Sequence, residues 1–271
     1  MSFLWYALMI LAAAGMIFGL AKARSGVEWG RPVTIVCAIV ALLLAVSTIF
    51  TGGGGVDYED LRERELGYAE ISAKRLGQYI SENFADSEVV ILKGYEFGEP
   101  SEGETARLRG LTEGLGPDIT VVEIISPELP EEYKRMMEEM GGAEEAVPPP
   151  VGEMMMQASE YNRVLEPYLD QCDIIISLIG LPMDVENLSL WKMQDPPRLA
   201  LYNTMQMPSL QEAIKQGYIV AAVMYRLDPD MEDKAKPKSV KDFDKRFLLV
   251  TPENIEELSG QYPDLFPTFS E

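Results

Sequence analysis

The chain has 271 residues, 44 acidic against 23 basic side chains, a formal net charge of −21 and no histidine. Without histidine, Ser-His-Asp and Cys-His catalytic systems and nearly all catalytic zinc sites are excluded. The negative charge repels phosphate backbones, which argues against nucleic-acid binding. We therefore favour a non-catalytic protein over an enzyme, and expect no cofactor and no metal.

The first 50 residues contain two stretches without a charged side chain, residues 2–21 and 33–50. A bilayer core about 30 Å thick needs roughly 20 helical residues, so these stretches predict a transmembrane hairpin in contact with lipid. The loop between them carries Lys22, Arg24 and Arg31. Basic loops stay in the cytoplasm, which predicts a bacterial-type inner-membrane protein with both termini and the soluble body outside.

Small residues recur four apart in both stretches, as Gly15 and Gly19 in the first and Ala41 and Ala45 in the second. Such spacing lets helices approach closely in lipid. Either the two hairpin helices pack on each other, or these faces bind another membrane subunit. The Ala21-Lys22-Ala23 sequence leaves a further alternative open, because it has the form of a signal-peptidase site and cleavage there would remove the first stretch.

A glycine-rich linker over residues 51–56 leads into a soluble domain over residues 57–271. Helical periodicity over 57–84 precedes apolar runs that alternate with helical segments. We predict strands over 88–93, 119–125, 173–179, 198–202, 218–225 and 246–250, and helices over 102–115, 130–140, 153–171, 209–216 and 252–258. This order predicts an α/β fold, a mostly parallel five- or six-stranded Rossmann-like sheet with helices on both faces.

The succession of EVVILK, ITVVEII, DIIISLIG, RLALYN and YIVAAVMY over residues 86–226 resembles one lobe of a type I periplasmic sugar-binding protein. The resemblance is in the order of elements and carries no sequence motif. It implies that strand ends such as DIIISLIG and RLALYN face a ligand cleft. The chain differs from that family in being too short for a full second lobe and in having no residue that marks a sugar site.

Ligands of doubly wound sheets bind beyond the carboxyl ends of the strands. Polar residues that follow the predicted strands are therefore candidates for binding a small molecule: Tyr95, Glu96, Ser126, Asp184, Asn203 and Arg226. The alternative is structural, because turns after strands are ordinarily polar.

Other motifs carry less chemistry. The GYEFG segment at 94–98 lacks the third glycine of a dinucleotide fingerprint, and no phosphate-binding P-loop motif is present. Cys37 and Cys172 lie in different environments and are not expected to pair. Methionine clusters could bind Cu(I), although such residues more often serve packing. They are Met136, Met137 and Met140, then Met154, Met155 and Met156, then Met205 and Met207.

These features favour a non-catalytic docking or structural subunit of a membrane or envelope complex, with protein partners or self-association. The alternative is a membrane-tethered receptor for a small solute. A carboxylate-based enzyme is the third and least supported hypothesis.

Overall fold

The computed structural model describes residues 3–27, 29–50, 58–95, 100–128, 131, 135, 156–202, 208–227 and 235–266. The chain folds into two compact units, Met1–Arg62 and Glu63–Glu271. The predicted linker over 51–56, the predicted helix over 130–140 apart from two residues, and the segment over 141–152 lie outside the described residues.

The first unit contains two helices that pack on each other, α1 (Phe3–Arg24) and α2 (Gly30–Phe50). Their backbones are close at the glycines of α1. A Cβ on Gly15 would lie 2.7 Å from Cys37 Sγ, and one on Gly19 would lie 2.6 Å from Thr34 Oγ1. These glycines thus face α2 within the hairpin. Ala41 is half-buried, and the side chain of Ala45 lies outside the described residues.

The structure gives no support to the prediction that this hairpin crosses a bilayer. Within the part of the chain that is described, no helix combines the length and the apolar character that a membrane span requires.

The second unit is built on one sheet of six strands in the order β2-β1-β3-β4-β5-β6. The strands are β1 (Glu88–Leu92), β2 (Thr120–Ile125), β3 (Ile174–Ser177), β4 (Arg198–Tyr202), β5 (Ile219–Tyr225) and β6 (Phe247–Val250). The first five are parallel, and β6 pairs antiparallel with β5. The predicted mostly parallel α/β sheet is confirmed, with six strands among the residues that the structure describes.

Helices cover both faces of the sheet, so side chains that point to opposite sides along β1, β3, β4 and β5 are nearly all buried, whereas only Ile125 of β2 is. Val89 and Ile91 pack with α3 (Tyr58–Asn83) and α4 (Glu102–Leu115), whereas Val90 and Leu92 face the other layer. That layer holds α5 (Ala158–Leu165), α6 (Pro208–Lys215) and α7 (Ile255–Gln261). Burial on both faces explains why the strand sequences are continuous apolar runs.

Two predicted helices have different bounds in the structure. In the described part of the helix predicted over 153–171, residues 156–171, the α-helix is α5, followed by a 3₁₀ turn at Glu166–Tyr168 that contains Pro167. Proline has no backbone N–H to continue an α-helix. The helix predicted over 252–258 begins later, at Ile255, because Asn254 Oδ1 accepts a hydrogen bond from the backbone N–H of Thr251 and holds a turn there.

The packing of α3 against α4 depends on three glycines. A Cβ on Gly77 would lie 2.5 Å from the carbonyl oxygen of Leu111. A Cβ on Gly110 would overlap the carbonyl oxygen of Glu70, and one on Gly114 would overlap that of Lys74. The two helix backbones therefore touch directly, with no side chain between them at these positions.

Candidate ligand-binding site

The strand order has its switch point between β1 and β3. The chain leaves β1 through α4 to reach β2 on one side, while β3 lies on the other side of β1. Connections that leave neighbouring strands in opposite directions open a crevice beyond their carboxyl ends. The segments at this crevice are residues 93–95 after β1 and residues 178–180 after β3.

Buried hydroxyl groups hold the backbone at this crevice. The carbonyl oxygen of Gly180 accepts hydrogen bonds from Ser177 Oγ at 2.7 Å and from the Tyr161 hydroxyl at 3.1 Å. Tyr161 is fully buried, and this burial raises its pKa well above the ordinary value. On the side of β1, Ser126 Oγ donates to the carbonyl oxygen of Gly94. The strand-end loops are thus fixed from within the domain.

Four of the six residues predicted to bind a ligand are described, and each makes intramolecular contacts. Tyr95 is buried in the apolar cluster on the α5 side of the sheet. Ser126 supports Gly94, as above. The other two, Glu96 and Asn203, lie outside the described residues. Their assignment to a ligand stays a prediction.

Asp184 caps a helix from another part of the chain. Its Oδ1 accepts a hydrogen bond of 2.7 Å from the backbone N–H of Ala158, the first residue of α5. This bond lowers the pKa of Asp184. Gln157, the residue at the N-cap position, makes no side-chain capping bond. The carboxylate of Asp184 therefore supplies an acceptor that the local sequence does not.

Arg226 makes hydrogen bonds to the carboxyl-terminal segment. Its Nη2 donates to the Tyr262 hydroxyl at 2.8 Å, and its Nη1 donates to the carbonyl oxygen of Asp244 at 3.2 Å. The guanidinium also lies over the Tyr262 ring, 5.6 Å from the centroid. The structure thus places Arg226 beside β5 and β6, away from the β1–β3 crevice.

A residue that the sequence did not single out lies at the crevice itself. Lys93 directly follows β1, and its Nζ is 3.5 Å from a carboxylate oxygen of Glu104 in the first turn of α4. Both side chains are mostly buried, at 14% and 17% exposure. They line a cavity of about 520 Å³ together with Thr105 and Leu108 of α4, and no residue of β3 or of residues 178–180 borders this cavity. The available signal was a lysine that ends an otherwise apolar strand.

The other candidate groups have structural surroundings where they are described. Burial raises the pKa of the Cys172 thiol to about 11, which disfavours the reactive thiolate. Met156 packs in the core at 3% exposure, and the remaining clustered methionines lie outside the described residues. Among the described residues, no group of three or more Cys, Asp or Glu side chains is placed to hold a metal ion.

No protein-family model and no curated protein sequence matches the chain. Solved structures of low sequence identity do. A solute-binding protein of an ABC transporter from Burkholderia graminis, in complex with D-arabinose, is 19% identical, with 71% of this chain and 61% of that chain covered and a TM-score of 0.38.

Two further solved structures match this chain with a similar coverage and TM-score. The Caulobacter myo-inositol binding protein is 16% identical, with 70% and 60% covered and a TM-score of 0.40. The arabinose-binding protein AraP from Geobacillus stearothermophilus is 12% identical, with 70% and 62% covered and a TM-score of 0.38. The predicted resemblance to periplasmic sugar-binding proteins is thus confirmed as a similarity. The chain spans about three fifths of the length of these structures.

Proposed function

We propose that the α/β domain binds a small polar solute at the crevice between β1 and β3. The observation that carries this proposal is the strand order, whose switch point lies at the end of β1, directly before Lys93. Crevices of this kind are where open α/β sheets bind their ligands. The proposal corresponds to the receptor alternative rather than to a docking subunit.

The chemistry of the crevice favours a solute that carries polar or charged groups. Lys93 Nζ and a carboxylate oxygen of Glu104 lie 3.5 Å apart, so a solute at this position meets a hydrogen-bond donor beside an acceptor. Leu108 adds an apolar wall to the same cavity. Few polar groups on a mostly apolar lining are typical of small-molecule sites.

A ligand screen on the full chain in mild detergent tests this function. We expect at least one small polar metabolite to raise the melting temperature, since a ligand that binds only the folded state stabilises it. Lys93→Gln and Glu104→Gln should each weaken that ligand at least tenfold. Lys215→Gln is the matched control, because Lys215 pairs with Glu256 away from the crevice.

Two results would contradict ligand binding at this crevice. A screen without any melting shift, together with co-purification of a stoichiometric protein partner, would favour the docking role instead. A ligand that binds the Lys93→Gln protein as tightly as the unmodified chain would place the site elsewhere.

We also propose that the hairpin holds the domain at a membrane, with the domain outside the cytoplasm. In the described part of both helices, large apolar side chains are exposed, among them Ile10 at 69%, Ile17 at 70%, Ile35 at 58% and Leu42 at 65%. Exposed apolar surface of this kind is typical of faces that contact lipid or another protein. It is the support for this part of the proposal.

Cell fractionation tests the membrane assignment. The full chain should remain in the membrane pellet after alkaline carbonate extraction, and a version without residues 1–56 should be released. A phosphatase that is active only outside the cytoplasm should work when fused to the carboxyl end. Release of the full chain, or an inactive phosphatase on a membrane-bound chain, would contradict the assignment.

A further inference from the structure

A second cavity opens at the opposite edge of the sheet, and neither the sequence nor the comparisons assign it a role. It has a volume of about 630 Å³. It is bordered by the starts of β4 and β5, the end of α3, and the turn after β6, which runs antiparallel to β5. We name it the amino-edge cavity. Its volume is within the range of small-molecule sites.

One wall of this cavity presents a carboxylate held in place by hydroxyl groups. Glu253 Oε2 accepts a hydrogen bond of 3.1 Å from the buried Tyr79 hydroxyl. Hydrogen bonding to the Thr251 side chain, and further to Tyr79, lowers the pKa of Glu253. Burial, and then the neighbouring Glu253 charge, raises the pKa of Tyr79 to about 12. At neutral pH the cavity therefore holds a fixed negative charge beside a neutral phenol.

Another wall presents a guanidinium. Arg198, the first residue of β4, lies over the Phe84 ring with its Cζ 5.4 Å from the centroid. No described carboxylate forms an ion pair with it. Glu253 lies in the turn three residues beyond β6, which is two positions from β4 in the sheet. The two charges thus face one cavity without pairing with each other.

The remaining lining combines aromatic surface with amides. Tyr218 is 41% exposed and is held edge-on against Trp191, with ring centroids 5.7 Å apart. Gln194, Gln216 and Asn83 supply side-chain amides. A ligand that carries one positive and one negative group close together would satisfy both fixed charges, and its side chain would lie against the ring.

We propose that the amino-edge cavity binds a free α-amino acid, with the ligand carboxylate on Arg198 and its ammonium group on Glu253. Two separate charges of opposite sign at a partly enclosed site favour a zwitterion over a ligand that carries a single charge of either sign. The volume admits side chains of all sizes. This site is separate from the crevice between β1 and β3 and does not depend on ligand binding there.

Calorimetric titration of the full chain in detergent with each of the twenty L-amino acids tests the proposal. We expect at least one to bind, and its N-acetyl and carboxamide derivatives to bind at least tenfold more weakly, since each lacks one of the two charges. Arg198→Gln and Glu253→Gln should each weaken the amino acid at least tenfold. In Glu253→Gln the amide oxygen can still accept from Tyr79, so the fold should be retained.

Two controls keep this site distinct from the other. Arg163→Gln removes an exposed arginine that pairs with Glu160 on α5, and should leave amino-acid binding unchanged. Lys93→Gln, which tests the β1–β3 crevice, should also leave it unchanged. Absence of binding by all twenty amino acids would overturn the proposal. So would equal affinity for the N-acetyl or carboxamide derivative, or binding that survives in both cavity variants.

Discussion

Replacing Gly110 by alanine is expected to lower the free energy of unfolding by about 3 kcal/mol, the upper part of the range for overpacking. The added methyl group would overlap the backbone carbonyl of Glu70 on the facing helix. A backbone atom cannot rotate away as a side chain can, so α3 and α4 would have to separate. Their separation would loosen the apolar packing of Leu111 and Leu115 on the sheet.

Chemical denaturation of the full chain measures this effect, and Gly103→Ala is its control on the same helix. A Cβ on Gly103 meets no atom within 4 Å, so this substitution removes only the conformational freedom of glycine. It should be neutral or slightly stabilising. If Gly110→Ala were as stable as Gly103→Ala, the direct approach of the two helix backbones would be wrong.

Replacing Arg246 by alanine should destabilise the domain by a similar amount, about 3 kcal/mol. This arginine is only 3% exposed, and its Cζ is 3.9 Å from the centre of the Tyr68 ring on α3. Its Nη1 lies 2.8 Å from both carboxylate oxygens of Glu65. A desolvated cation–π contact stabilises the fold by about 2 kcal/mol, and a hydrogen bond between charged groups stabilises it by a comparable amount. The cost of burying the guanidinium charge offsets part of this sum.

Arg246→Lys separates the charge from the shape of the side chain. Lysine keeps the positive charge but lacks the planar guanidinium that stacks on Tyr68, so it should recover about half of the loss. Arg163→Ala, at an exposed ion pair, should leave the free energy of unfolding nearly unchanged. Equal stability of the Arg246→Ala and Arg163→Ala proteins, measured by denaturant titration, would show that Arg246 does not hold α3 against β6.

The sheet could be predicted from the sequence because each strand is an apolar run that must be covered on both faces. EVVILK and YIVAAVMY, for example, contain β1 and β5 at nearly their predicted bounds. The helix ends were less predictable. The last helix, α7, begins three residues later than predicted, and Asp184 caps α5 from 26 residues away, a contact that local pattern cannot reveal.

The candidate sites, too, could be predicted only in part from the sequence. The assignment of polar residues after strands to a ligand stays a prediction, and Asp184 and Arg226 make hydrogen bonds to neighbouring elements that the sequence did not reveal. Lys93 was overlooked because a lysine at the end of an apolar strand indicates no site by itself, and only the fold brings Glu104 beside it. The amino-edge cavity joins Tyr79, Arg198 and Glu253, which are far apart along the chain.

The sequence by itself determined the α/β class, the predominance of parallel strands and the apolar pair of helices at the start, because hydrophobic periodicity and length are local properties. Only the tertiary structure decided the strand order, the direction of β6 and the partner of each charged side chain. Those depend on which segments meet in space, and a hydrogen bond or a buried charge is stabilised by its partner whatever the distance along the chain.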